Sequence, residues 1–193
     1  MSWIADELIE AGYEVWNQGY PSNEGSIQSL TLHAIQPAVR YCEQHSTTHF
    51  VTHSLGGILV RYYLQGKKFA GRIVMISPPN QGSEIPDVLR EIELFRNLLG
   101  PAALELGTDN TSVPKSLAPI GGEIGVITGD STSDPWFSWL IPGPDDGKVA
   151  VDSAKLEEMQ DFLVVPHGHT LIMLFPGVID QVLHFLRSGE FRH

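Results

Sequence analysis

The residues whose types and spacing could do chemistry begin at His49-Phe50-Val51-Thr52-His53-Ser54-Leu55-Gly56-Gly57-Ile58-Leu59. A strand pattern runs straight into a helix pattern, with a serine at the junction and glycines two and three residues after it. Such a turn holds serine in a strained conformation with its hydroxyl exposed at the strand's C-terminal end. The glycines let strand and helix approach without a Cβ clash, and the helix N-terminus aims backbone N–H groups at any negative charge forming there. The chemistry this favours is nucleophilic attack by a serine hydroxyl. That hydroxyl needs a base to accept its proton and an acid to orient the base. A loop entering the last helix pattern, Pro166-His167-Gly168-His169-Thr170, offers two imidazoles, and Asp130, Asp134, Asp145 and Asp146 offer carboxylates.

Elements must position these groups, and the chain alternates strand-like with helix-like segments, as an α/β layered sheet does. Residues 2–11 carry Trp3, Ile4, Leu8 and Ile9 at helical spacing, with Ser2 as N-cap and Gly12 as the stop. Tyr13–Tyr20 reads as a strand, and Ser26–His45 as a long helix kinked or broken at Pro37. Strands are predicted at Thr48–His53, Arg72–Ser77, Glu123–Thr128 and Phe162–Val165, with the elbow helix at Ser54–Gln65. Arg72–Ser77 is nearly all apolar, as parallel strands buried on both faces tend to be. Residues 82–120 are helical and irregular, 129–148 form a loop, and Thr170–Arg187 is a final helix bent at Pro176-Gly177. The fold class is α/β, a mostly parallel sheet flanked by helices in a single domain over residues 1–193.

Composition excludes several functions. With 12 Lys+Arg against 23 Asp+Glu, the net charge is −11, which disfavours nucleic acid and anionic membrane surfaces. Hydrophobic residues at 42% and charged ones at 18% describe a globular rather than a disordered chain. No apolar run is long enough to span a bilayer. The single cysteine, Cys42, cannot form an internal bridge and reads as a small buried hydrophobe, which favours a reducing, cytoplasmic setting. His45, His49 and His53 are spaced by four, but on a strand four residues span about 13 Å, too far for shared metal ligation.

The segment Thr52-His53-Ser54-Leu55-Gly56 resembles the Gly-x-Ser-x-Gly elbow of the α/β-hydrolase superfamily, with Thr52 at the first glycine. Asp146-Gly147-Lys148-Val149 resembles the Asp-Gly-x-Val segment of bacterial lipases, and Ser77-Pro78-Pro79-Asn80-Gln81-Gly82-Ser83 is similar to the loop after the elbow helix and its strand in such hydrolases. The resemblance to the bacterial lipase/esterase group implies hydrolysis of small-molecule or lipid carboxylic esters through an acyl-serine, with no metal or organic cofactor. It implies Ser54 as nucleophile, His169 as base with His167 as competitor, Asp146 as acid with Asp130 as runner-up, and the Leu55 N–H in the oxyanion hole. A thioesterase or acyltransferase would use the same triad. The resemblance also implies a strand and a His-Gly oxyanion loop before the first helix. This sequence shows neither, so a catalytically impaired binding protein is the reading from another class. The missing strand leads us to expect the 2–20 segment displaced, either exchanged with a second copy in a homodimer or packed in a non-family position. Leu89, Ile92, Phe95, Leu98 and Leu99 form an apolar stripe, which makes 82–120 a lid or a flanking helical insertion. Trp136, Phe137, Trp139 and Leu140 are candidates for an acyl pocket or simple core.

Overall fold

The computed structural model describes residues 1–44, 47–90, 100–132 and 135–193, with backbone alone at 135 and 136. In chain order the elements are α1 (Ser2–Glu10), α2 (Ile27–Leu30), α3 (Gln36–Cys42), β1 (Phe50–His53), α4 (Leu55–Leu64), β2 (Arg72–Ile76), α5 (Glu84–Leu89), α6 (Pro101–Leu104), α7 (Val113–Ser116), β3 (Glu123–Gly129), α8 (Pro135–Ser138), β4 (Asp161–Val165) and α9 (Pro176–Ser188). Among the described residues, four strands lie in the order β1-β2-β3-β4, all parallel. Each strand therefore needs a crossover to reach the next, and helices supply the cover on both faces.

Alternation along the strands sorts the core into two layers. Val74, Ile76 and Ile127 face one side and pack against Val178, Val182 and Phe185 of α9 and Ile4 and Leu8 of α1. Ile73, Met75, Ile124 and Val126 face the other, against Val60 and Leu64 of α4 and Ala154 and Leu156. The central strands are apolar throughout because both of their faces are covered. Described parts of 82–120 are packed: Ala102 and Leu106 join Ile58 and Leu59 of α4 in a third cluster, and Leu89 is buried. Ile92, Phe95, Leu98 and Leu99 of the apolar stripe lie outside the described residues, as does His45.

Several expectations are corrected. Tyr13–Tyr20 is irregular rather than a strand. Tyr13 and Val15 pack on the core, Tyr13 sits edge-on to His49, and Trp16 lies 5.1 Å from the Tyr41 ring. Strand propensity needs a neighbouring strand to act on, and among the described residues none lies beside this segment. Instead a cavity of about 680 Å³ separates it from the outer edge of β1, bounded also by Ala34–Cys42. Ser2 is the first residue of α1 rather than its cap. The break expected at Pro37 is a π-helical turn at Thr31–Ile35, with Pro37 in the first turn of α3. A wider turn relieves the clash that the proline ring would make with the carbonyl four residues earlier. The last helix starts at Pro176, after a short 3₁₀ turn at Ile172–Leu174, and is not a bent helix from Thr170. Proline at its first position needs no hydrogen-bond donor there. Cys42 is half-buried rather than part of the core.

Candidate active site

Ser54 stands between β1 and α4 with φ 52° and ψ −124°, a region that side chains rarely occupy. Its own N–H donates to the Ile76 carbonyl at 2.9 Å, which extends the β1–β2 ladder into the turn and holds the strain. Thr52, at the place of the motif's first glycine, leaves Gly56 and Gly57 at ordinary contact distance, and the tighter neighbour of Gly57 is Pro78. A Cβ on Gly56 would stand 3.4 Å from the Thr52 Cβ, and one on Gly57 would stand 3.1 Å from Pro78 Cβ. Leu55 opens α4, so its N–H is among the helix-start donors without an intrahelical partner.

Three elements bring the other two groups to this turn. After β3 the chain forms a tight hairpin at Asp145–Ala150, with Gly147 at φ 97°. That turn points the Asp146 carboxylate inward. Its Oδ1 accepts from the Lys148 and Val149 N–H groups at 3.0 and 2.8 Å, and its Oδ2 lies 2.9 Å from His169 Nδ1. His169 follows β4, and its Nε2 lies 2.9 Å from Ser54 Oγ. The His169 N–H donates to the Asp146 carbonyl at 2.8 Å, so backbone and side chain of one aspartate hold one histidine. Asp146 and His169 are buried, at 1% and 4% exposure. Burial acts to raise the Asp146 carboxyl, but hydrogen bonds and charge from His169, the Val149 N–H and the nearby Ser77 hydroxyl outweigh it, leaving the group below its ordinary range.

The other candidates stand elsewhere. Asp130 is exposed and accepts from the Ser131 hydroxyl. Asp145 takes the Ser138 hydroxyl and the Gly147 N–H, and Asp134 lies outside the described residues. His167 stacks on Phe175 at 3.6 Å. Phe137 packs with Ile85, Leu89, Ile141 and Ala150, whereas Trp139 is 77% exposed and lies outside the core.

Two residues at the site escaped the sequence reading. His53 precedes the serine and reaches the His169 carbonyl with Nε2 at 2.9 Å. Ser77, at the end of β2, is fully buried with φ 48° and sits by Asp146. Adjacency to the serine was the available signal for His53, and the end of the next strand was the signal for Ser77.

An Asp–His–Ser chain of this order lets the imidazole take the hydroxyl proton while the carboxylate keeps the imidazole in the right tautomer. Neither a protein-family model nor a curated protein matches the chain by sequence. Solved structures do match. Phospholipase PlaB from Legionella pneumophila superposes with a TM-score of 0.70 at 17% identity, covering 97% of this chain and 55% of that one. The mature lipase BlEst2 from Bacillus licheniformis gives 0.66 at 15%, covering 91% of this chain and 83% of that one. This chain thus spans little more than half of PlaB. With its parallel sheet, crossover helices and strand-to-helix serine turn, the protein shares the fold of these two structures, an α/β-hydrolase fold.

Proposed function

We propose that the protein is a serine carboxylic-ester hydrolase. The observation that carries this is the unbroken chain from Asp146 Oδ2 to His169 Nδ1 and from His169 Nε2 to Ser54 Oγ, each link 2.9 Å. In this reading Ser54 Oγ attacks the ester carbonyl carbon and its proton passes to His169 Nε2. The Leu55 N–H donates to the oxyanion of the tetrahedral intermediate. His169 then protonates the leaving alcohol as the ester C–O bond breaks, leaving an acyl-Ser54. A water molecule repeats the attack with His169 again as base, and collapse releases the acid and restores the serine. Asp146 stays ionised throughout and stabilises the imidazolium. The fold of PlaB and BlEst2, a phospholipase and a lipase by name, supports a lipid or small-molecule ester as substrate.

The test is Ser54→Ala beside the parent protein, with a p-nitrophenyl ester and a fluorophosphonate probe. We expect the parent to turn over the ester and take up one probe per chain, and the folded variant to do neither. Hydrolysis at the parent rate by Ser54→Ala would remove the serine from the chemistry. A folded parent inert to both reagents would favour a binding role for the same fold.

A further inference from the structure

The base of a hydrolytic triad must keep sub-ångström registry with its serine, yet His169 lies in a loop. The Val165–Ile172 segment has few bonds of its own, chiefly from the Leu171 and Ile172 N–H groups to the Gly168 carbonyl. His169 itself is held at four atoms. Its N–H and Nδ1 are held by Asp146, and its Nε2 meets Ser54. The fourth is its carbonyl oxygen, which meets Nε2 of His53 at 2.9 Å. A carbonyl only accepts, so His53 must carry its proton on Nε2. The two rings lie 4.9 Å apart, tilted by 51°.

The placement of His53 gives this contact its meaning. It is the last residue of β1, covalently joined to Ser54, and its backbone register is set by pairing with Ile76 of β2. The strand that carries the nucleophile therefore grips the residue that carries the base at two adjacent positions. Ser54 reaches the imidazole and His53 reaches the backbone behind it. A displacement of the loop away from β1 therefore works against both contacts. We infer that His53 is a positioning residue that locks the His169 loop to the nucleophile strand through its Nε2–H bond to the His169 carbonyl.

Electrostatics keep the donating ring neutral. Burial, the facing His169 and, further off, Lys148 push the His53 imidazole down to about 4, against the His169 carbonyl bond and the Asp146 charge. It thus stays uncharged beside a His169 that becomes an imidazolium in each cycle. A second cation 4.9 Å away would oppose that step.

The inference rests on the ester-hydrolase reading, and the experiment separates the two. Probe uptake and ester turnover by the parent test the reading itself. His53→Phe keeps a ring but removes the donor, and His53→Gln replaces the donor at a similar reach. We expect His53→Phe to lower kcat about 30-fold, since small misplacements of reacting groups carry penalties of that order, with KM within about twofold. His53→Gln should return kcat to within about fourfold of the parent. Equal losses in both variants, or none in His53→Phe, would overturn the inference. Nitrogen-15 NMR of the histidines in the parent protein at pH 7 gives a readout free of any folding defect. The Nε2–H tautomer at His53 supports the lock, and an Nδ1–H tautomer overturns it.

Discussion

Asp146 is more than a counter-charge, because its two oxygens have separate duties. Oδ1 is saturated by the Lys148 and Val149 N–H groups, and Oδ2 is left to the His169 Nδ1 proton. In Asp146→Asn the two backbone donors require the amide oxygen at Oδ1, so the NH₂ faces His169. The imidazole must then flip to the tautomer that cannot take a proton from Ser54. We expect kcat to fall about 10⁴-fold with the fold retained, checked by ester turnover beside circular dichroism. A second prediction at this scale concerns acid. His53 titrates near 4 in the folded chain against 6.5 ordinarily, so between these values the unfolded chain binds the extra proton. Stability is therefore lost as pH falls from 6.5 towards 4, by about 3 kcal/mol from this group alone. Asp146, held below its ordinary range, loses its contribution lower still, as pH falls through its folded value. Urea unfolding at pH 7, 5.5 and 4 should show the first loss in the parent and a shallower one in His53→Gln.

Elements meet at this site with little spare room. A Cβ on Gly129, the last residue of β3, would stand 1.9 Å from the His167 carbonyl oxygen and 3.0 Å from Asp146 Cβ. Gly129→Ala therefore pushes apart the two loops that bring base and acid together. It should destabilise the fold by about 3 kcal/mol and lower ester turnover at least about 100-fold. Gly177, by contrast, has open space around it in the first turn of α9 and no positive φ. Gly177→Ala should leave turnover unchanged and raise stability by about 0.5–1 kcal/mol, through better helix propensity and a less flexible unfolded chain. Urea midpoints and kcat for the pair separate crowding at the site from general tolerance. Arg61 of α4 is another joint between elements. It is buried, donates to the Asn80 carbonyl at 2.9 Å, and so ties the elbow helix to the loop after β2.

At the scale of the whole molecule, among the described residues the sheet ends at β1 with an unpaired edge facing the 680 Å³ cavity. Unpaired strand edges invite pairing with another chain. The N-terminal segment beside it also leaves Trp3 and Ile9 more than half exposed, at 58% and 56%. These features motivate the expectation of a homodimer through this segment. Size-exclusion chromatography with light scattering at tens of micromolar should then give twice the 21.3 kDa chain mass, and Trp3→Lys with Ile9→Lys should return it to one. A single-chain mass for the parent would refute the dimer. No helix among the described residues is long and apolar enough to cross a membrane.

Local pattern carried far in this chain. The apolar runs at 72–77 and 123–128, and the serine at a strand-to-helix junction followed by two glycines, announce a parallel sheet and a strained turn. Both depend on neighbours in sequence. Tyr13–Tyr20 shows where pattern stops, because a strand is completed by hydrogen bonds to a partner that no local property can supply. The same holds for the contacts at the site. The His53 bond joins residues 116 apart, and the His169–Asp146 bond joins residues 23 apart. Four aspartates lie in the 129–148 loop, and sequence alone offered only the Asp-Gly context to choose among them. The order of strands decided which carboxylate meets His169. Turn geometry at Gly147 aimed Asp146 inward, while Asp130 was left in solvent. Residue types and their order determined the chemistry available; only the assembly of β1, β2, β3 and β4 into one parallel sheet brought those residues within hydrogen-bonding reach.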